Sequence, residues 1–131
     1  MVLEIRSKLE HFTLDELSKP VGAYSHGVIA NGLLFTCGLG PMSPETGKIS
    51  GDEIVGQTRQ VFKNLELILS SKNVDFSRVV KLTAYLQNLG DDFKAYDSVC
   101  SEFLSTPYPA RTTTGATLPG ILIEIDCIVA L

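Results

Sequence analysis

"ILIEIDCIVAL", residues 121–131, is the stretch that organises the rest of the chain. Side chains on a β-strand alternate between faces. Ile121, Ile123, Ile125, Cys127 and Val129 therefore point one way, and Leu122, Glu124, Asp126, Ile128 and Ala130 the other. Both sets are largely apolar, so the run reads as a strand that needs cover on both faces. Helices of the same chain can cover one face. Burial inside an oligomer is the simplest cover for the other. That second face also carries two carboxylates, Glu124 and Asp126.

Upstream, "VVKLTAYL", residues 79–86, alternates again. Val80, Leu82, Ala84 and Leu86 are expected on one face, with Lys81, Thr83 and Tyr85 on the other. The segments before and after it change period. From Asp52, residues Ile54, Thr58, Val61, Leu65 and Ile68 recur at three- and four-residue steps, with Val55, Phe62 and Leu69 beside them. That spacing predicts an amphipathic helix, ending near Asn73. "DDFKAYDSVCSEFL", residues 91–104, predicts a second helix through Phe93, Tyr96, Val99, Cys100 and Phe103. Pro107 and Pro109 end it and lead into extended chain.

"GVIANGLLFTCG", residues 27–38, places Asn31-Gly32 between apolar runs, a strong hairpin signal. "PMSPETGKISGD", residues 41–52, reads as a loop. The order is hairpin, helix, strand, helix, strand, strand. It predicts an α+β fold, a mixed sheet with two helices packed on one face.

The chain has 131 residues, which fits a single domain over 1–131. Its 44% hydrophobic and 20% charged content suits a globular core and argues against disorder. A net charge of -4 and a pI near 5.1 do not suggest a surface that collects phosphates. No apolar run is long enough to span a bilayer. The opening "MVLEIRSKLEHF" lacks an unbroken apolar signal stretch and carries Glu4 and Glu10. The expected location is the cytosol. Cys37, Cys100 and Cys127 are odd in number and form no CxxC, so neither a disulfide framework nor a zinc site is expected.

Arg111 and Glu124 draw attention because both sit in small or apolar company. In extended chain Arg111 shares a face with Thr113. A guanidinium offers paired planar donors to a carboxylate, and if buried it needs an anion. That anion is either Glu124 or Asp126 of the same chain, in a structural ion pair, or the carboxylate of a ligand. Burial in the strand would raise the Glu124 pKa, and the arginine would lower it. Such a carboxylate can orient or deprotonate water, and Asp126 adds a second one. In "VGAYSHGV", residues 21–28, Tyr24 reads either as a wall for a flat ligand or as ordinary packing. His26 would serve as a general base only with a partner. In "TCGLGP", residues 36–41, Gly38 lets backbone amides approach an anion. Cys37 reads as a small core residue rather than a nucleophile.

These words in this order resemble the RidA/YjgF family of reactive-intermediate deaminases. The resemblance runs from about residue 18 to the C-terminus. It rests on "KPVGAYSHGV", "LLFTCGLGPMSPETG", "QTRQVFKNLELIL", "VVKLTAYLQNLGDDFKAYDSV" and "PARTTTGATLPGILIEID". It implies a chorismate-mutase-like fold, a homotrimer with clefts between subunits, and hydrolysis of 2-enamino and 2-imino acids to 2-keto acids and ammonia. No metal or cofactor is implied. By the same resemblance Arg111 grips the substrate carboxylate, Glu124 holds the attacking water and Tyr24 lines the cleft. Gly38 and the backbone of Thr113 help bind the ligand. Ala23 stands where the family usually has proline, Leu39 where it often has glutamine, and Cys37 where serine is frequent. The stretch between Arg111 and Glu124 is also shorter than in the best-known deaminases.

Two other readings compete. One is a trimer that binds small acids in the same cleft without turnover and acts as a regulator. The other is RNA cleavage, which the negative charge and the lack of a basic cluster disfavour.

Overall fold

The computed structural model describes residues 8–131; the sequence reading of the first seven residues, Glu4 included, lies outside them. The elements are β1 (Glu10–Phe12), β2 (Gly27–Ala30), β3 (Leu33–Thr36), α1 (Ile54–Ser71), β4 (Val79–Leu86), α2 (Leu89–Phe103), β5 (Ala110–Gly115) and β6 (Ile123–Ala130). They build one six-stranded sheet in the order β1-β2-β3-β6-β4-β5. Only β4 and β5 run parallel; the other neighbours are antiparallel.

Asn31 and Gly32 turn the β2–β3 hairpin with φ of 52° and 74°, the left-handed values that this turn requires. β3 and β4 both run antiparallel to β6, so they are parallel to each other. The connections β3-α1-β4 and β4-α2-β5 therefore cross over in the same direction. Crossovers of one hand then place both helices on one face of the sheet. The helices touch each other, with α1 against β6 and α2 against β4.

The core lies in that layer. Val61, Phe62, Leu65, Ile68 and Leu69 of α1 and Tyr96, Val99 and Cys100 of α2 are buried against Leu82, Ala84, Leu86, Ile123, Ile125, Cys127 and Val129. Phe103 stacks on Phe62 at 4.8 Å, and Phe76 meets both rings edge-on. Asn73 follows the end of α1 with φ of 59°, as the sequence suggests.

One strand reading needs correction. A bulge between Val79 and Lys81 shifts the register of β4 against β6. Val79 takes the core position and Val80 is 48% exposed, because the extra residue of a bulge leaves the alternation. The sequence-based expectation also omitted β1, a three-residue edge strand paired to β2. No helix among the described residues is long and apolar enough to cross a membrane.

Candidate functional site

The sheet separates the candidate residues by face. Arg111 on β5 is in register with Leu82, and Thr113 with Ala84, both core residues of β4. Arg111 and Thr113 thus share the helix-covered face, as their spacing predicts. Glu124 and Asp126 are in register with Tyr85 and Thr83 on the opposite, open face. Arg111 therefore does not pair with Glu124 or Asp126. Its Nη1 donates instead to Asp97 Oδ1 of α2 at 2.6 Å.

The Arg111 side is held from several directions. The guanidinium carbon lies 5.4 Å from the centre of the Tyr96 ring and 5.7 Å from that of Phe93. Tyr96 is fully buried, and its hydroxyl shares a 2.8 Å hydrogen bond with the Thr113 hydroxyl. Burial alone would weaken the Arg111 charge. The Asp97 carboxylate, with Tyr96 and Cys100, outweighs it and holds the guanidinium above its ordinary value. A cavity of about 430 Å³ opens beside the pair, lined by Asp97, Cys100, Ser101, Leu104, Tyr108, Pro109 and Arg111. The arginine is partnered by its own chain, yet it borders open space.

The open face gathers a different set. Glu124 is half-buried, and burial first and Asp126 second raise its pKa. Burial also raises that of Asp126, opposed by the Tyr85 hydroxyl and the Lys81 charge. Gly38 lies directly over Glu124: a Cβ there would come within 2.7 Å of the carboxylate. The missing side chain therefore makes room for Glu124. Cys37 is half-buried beside it, and burial and the Glu124 charge push its thiol up to about 11. That leaves it a protonated thiol rather than a nucleophile.

α1 fixes the segment that carries Gly38. The buried Asn64 donates to the carbonyls of Gly40 and Met42 at 3.1 and 2.9 Å. The buried Gln57 donates to the Gly51 carbonyl and accepts from the Leu122 amide at 2.8 Å. Leu39, at the position noted for its lost polarity, is buried, and its backbone pairs with Ile125 in both directions. Sequence reasoning passed over Gln57, Asn64 and Asp97. The signal for the first two was polar residues one heptad apart on the apolar stripe of α1. Asp97 carried none, because a carboxylate next to a buried tyrosine on α2 looks like an ordinary boundary residue.

Tyr24 is 47% exposed in the loop before β2, and its hydroxyl accepts from the Val21 amide. No hydrogen bond, ion pair or ring contact among the described residues joins it to Arg111 or Glu124. His26 is a structural clamp. Its Nδ1 accepts from the Leu14 amide and its Nε2 donates to the Ser18 carbonyl, both at 2.9 Å. Nδ1 has no lone pair left for a general base. Among the described residues no three His, Cys, Asp or Glu side chains gather as metal ligands would.

Residues 14–131 match the family model described as Endoribonuclease L-PSP. The chain belongs to this family, the RidA/YjgF family. Curated RidA/YjgF relatives bear different names. It is 43% identical over 110 residues to Putative regulator AldR of Lactococcus lactis, covering 82% of this chain and 86% of that one. It is 38% identical over 126 residues to the chloroplastic Reactive Intermediate Deaminase A of Arabidopsis thaliana, covering 95% and 67%. The fold matches the crystal structure of RidA from Psychrobacter sp. PAMC 21119 with a TM-score of 0.86 at 29% identity, over 93% and 99% of the two chains. It matches the Rid-family protein YyfA of Yersinia pestis at 0.89 and 28%, over 95% and 100%. The α+β architecture read from the sequence is thus the architecture of RidA/YjgF proteins.

Proposed function

We propose that the chain is a cytoplasmic homotrimeric deaminase that hydrolyses 2-enamino and 2-imino acids, such as 2-aminoacrylate and 2-iminobutyrate. The products are 2-keto acids and ammonia. The observation that carries this reading is Arg111, a buttressed guanidinium at the open edge of the sheet, beside a cavity of about 430 Å³. A carboxylate presents two oxygens in the plane that a guanidinium fork recognises. The relative named as a deaminase, 38% identical, supports the same class.

Arg111 and Glu124 lie on opposite faces of one chain, so they cooperate only if two copies contribute. In the proposed cleft Arg111 of one copy fixes the substrate carboxylate, with the backbone of Thr113 beside it. Gly38, Glu124 and Tyr24 complete the site. Enamine tautomerises to imine, and the protonated imine carbon is already electrophilic. Water adds to it, with Glu124 as the acceptor of a water proton; its raised basicity suits that role. Glu124 then passes that proton to the departing nitrogen, the C–N bond breaks as ammonia leaves, and the new hydroxyl returns its proton to Glu124 to leave the keto group. Positioning supplies most of the acceleration. No step calls for a metal or cofactor.

The test is pyruvate release from 2-aminoacrylate made from serine by a generating enzyme. Wild type should raise the early rate, and Arg111→Ala should abolish the rise while its oligomer survives. No rise with wild type would reject deamination.

Non-catalytic acid binding by a regulatory trimer is the second reading. Two observations favour it: Arg111 is already paired to Asp97, and a 43% identical relative is named a regulator. It predicts Arg111-dependent binding of 2-keto acids without faster imine hydrolysis. RNA cleavage rests only on names, that of the matching family model and those of two solved relatives described as endoribonucleases. Incubation with labelled RNA across a range of salt concentrations tests it.

A further inference from the structure

We propose that Asp97 makes the Arg111 site selective for acids that carry a positive nitrogen beside their carboxylate. The inference rests on the reading of Arg111 as a carboxylate anchor and adds which acids that anchor prefers.

Asp97 Oδ1 occupies only one of the five guanidinium donors of Arg111. The side chains are 49% and 28% exposed, and both line the same cavity. A ligand entering there meets both charges at once. Arg111 cannot readily turn away from Asp97, because the Tyr96 and Phe93 rings flank it and Thr113 holds Tyr96.

A plain carboxylate placed on Arg111 therefore comes close to a second carboxylate and is repelled. An acid with an iminium or ammonium nitrogen on the adjacent carbon meets the opposite situation. Its carboxylate lies against Arg111 while its nitrogen faces Asp97, so the four charges alternate in sign. The protonated 2-imino acid has this form. The 2-keto product keeps its hold on Arg111 but has lost the positive nitrogen, so the repulsion from Asp97 is no longer offset. Asp97 would thus favour substrate over product at the same arginine and speed product release.

Calorimetric titration with two stable acids tests this: L-2-aminobutyrate, whose ammonium stands in for the iminium, and 2-oxobutyrate. Wild type should bind the amino acid more tightly. Asp97→Asn should shift the ratio of the two affinities toward the oxo acid by about fivefold, the upper range for partly exposed charge pairs. Asp97→Ala should shift it in the same direction. An unchanged ratio in Asp97→Asn, or a shift in the alanine variant alone, would overturn the role of the Asp97 charge. Arg111→Ala separates the two claims. If it loses both acids, the anchor holds whatever the Asp97 variants do. If it binds both like wild type, or if wild type binds neither, the anchor fails and the selectivity with it.

Discussion

Replacing Gly38 by alanine would put a methyl carbon where the Glu124 carboxylate now lies. An ideal Cβ at Gly38 sits 2.7 Å from both Cδ and Oε2 of Glu124, and ordinary contact begins near 3.4 Å. The carboxylate must retreat by about 0.7 Å, and more if it changes rotamer. Glu124 is half-buried on the open face, so its flexible end can move without disturbing the core. Gly38 lies outside the left-handed backbone region, so alanine fits its conformation and the fold should survive. Misplacing a catalytic group by about 1 Å costs on the order of 10²-fold in rate. Gly38→Ala should therefore lose roughly 10²-fold in imine hydrolysis, comparable to Glu124→Gln. Combining the two should add little, since both remove the same function. The assay is keto-acid release from enzymatically generated 2-aminoacrylate, with melting temperature and oligomeric state as controls. A Gly38→Ala protein of wild-type rate, fold and assembly would refute the assignment of Glu124 to the water.

Two further outcomes follow from the same geometry. His26→Ala leaves the Leu14 amide and the Ser18 carbonyl without their partner. It should cost about 2–3 kcal/mol, roughly 10 °C in melting temperature. The rate per folded molecule should be kept; a selective loss of rate would revive His26 as a base. The second concerns pH. The native pKa values of Glu124 and Asp126 lie above their ordinary 4.5 and 3.8. The folded chain therefore holds these protons longer than the unfolded one. Stability from this source is present below the ordinary values and is lost as pH rises through the raised ones. Urea midpoints of wild type should thus fall relative to a Glu124→Gln/Asp126→Asn variant as pH rises from about 4. Parallel curves would contradict the raised values.

Periodicity located the two helices and strands β4 and β6, because each has a strong apolar pattern of its own; Asn31-Gly32 marked the hairpin, and Pro107 and Pro109 marked the extended chain that becomes β5. β1 carried no such signal: three residues are too few to show a period. Val80 misled because a bulge inserts a residue without changing composition. At the site, the spacing of Arg111 and Thr113 placed them on one face, and that held. Of the two readings left open for Arg111, the ion pair with Glu124 or Asp126 failed, since face assignments within single strands do not say which faces coincide. That depends on the register of β4 with both β5 and β6.

Local patterns along the chain were enough for both helices, the hairpin, strands β4 and β6 and the family, because each of these depends on residues close together in the chain. The folded arrangement was needed to show that Arg111 meets Asp97, that Gly38 makes room for Glu124, and that Arg111 and Glu124 stand on opposite faces. Those contacts join residues from separate elements. They are set by strand order and register, which no single segment encodes.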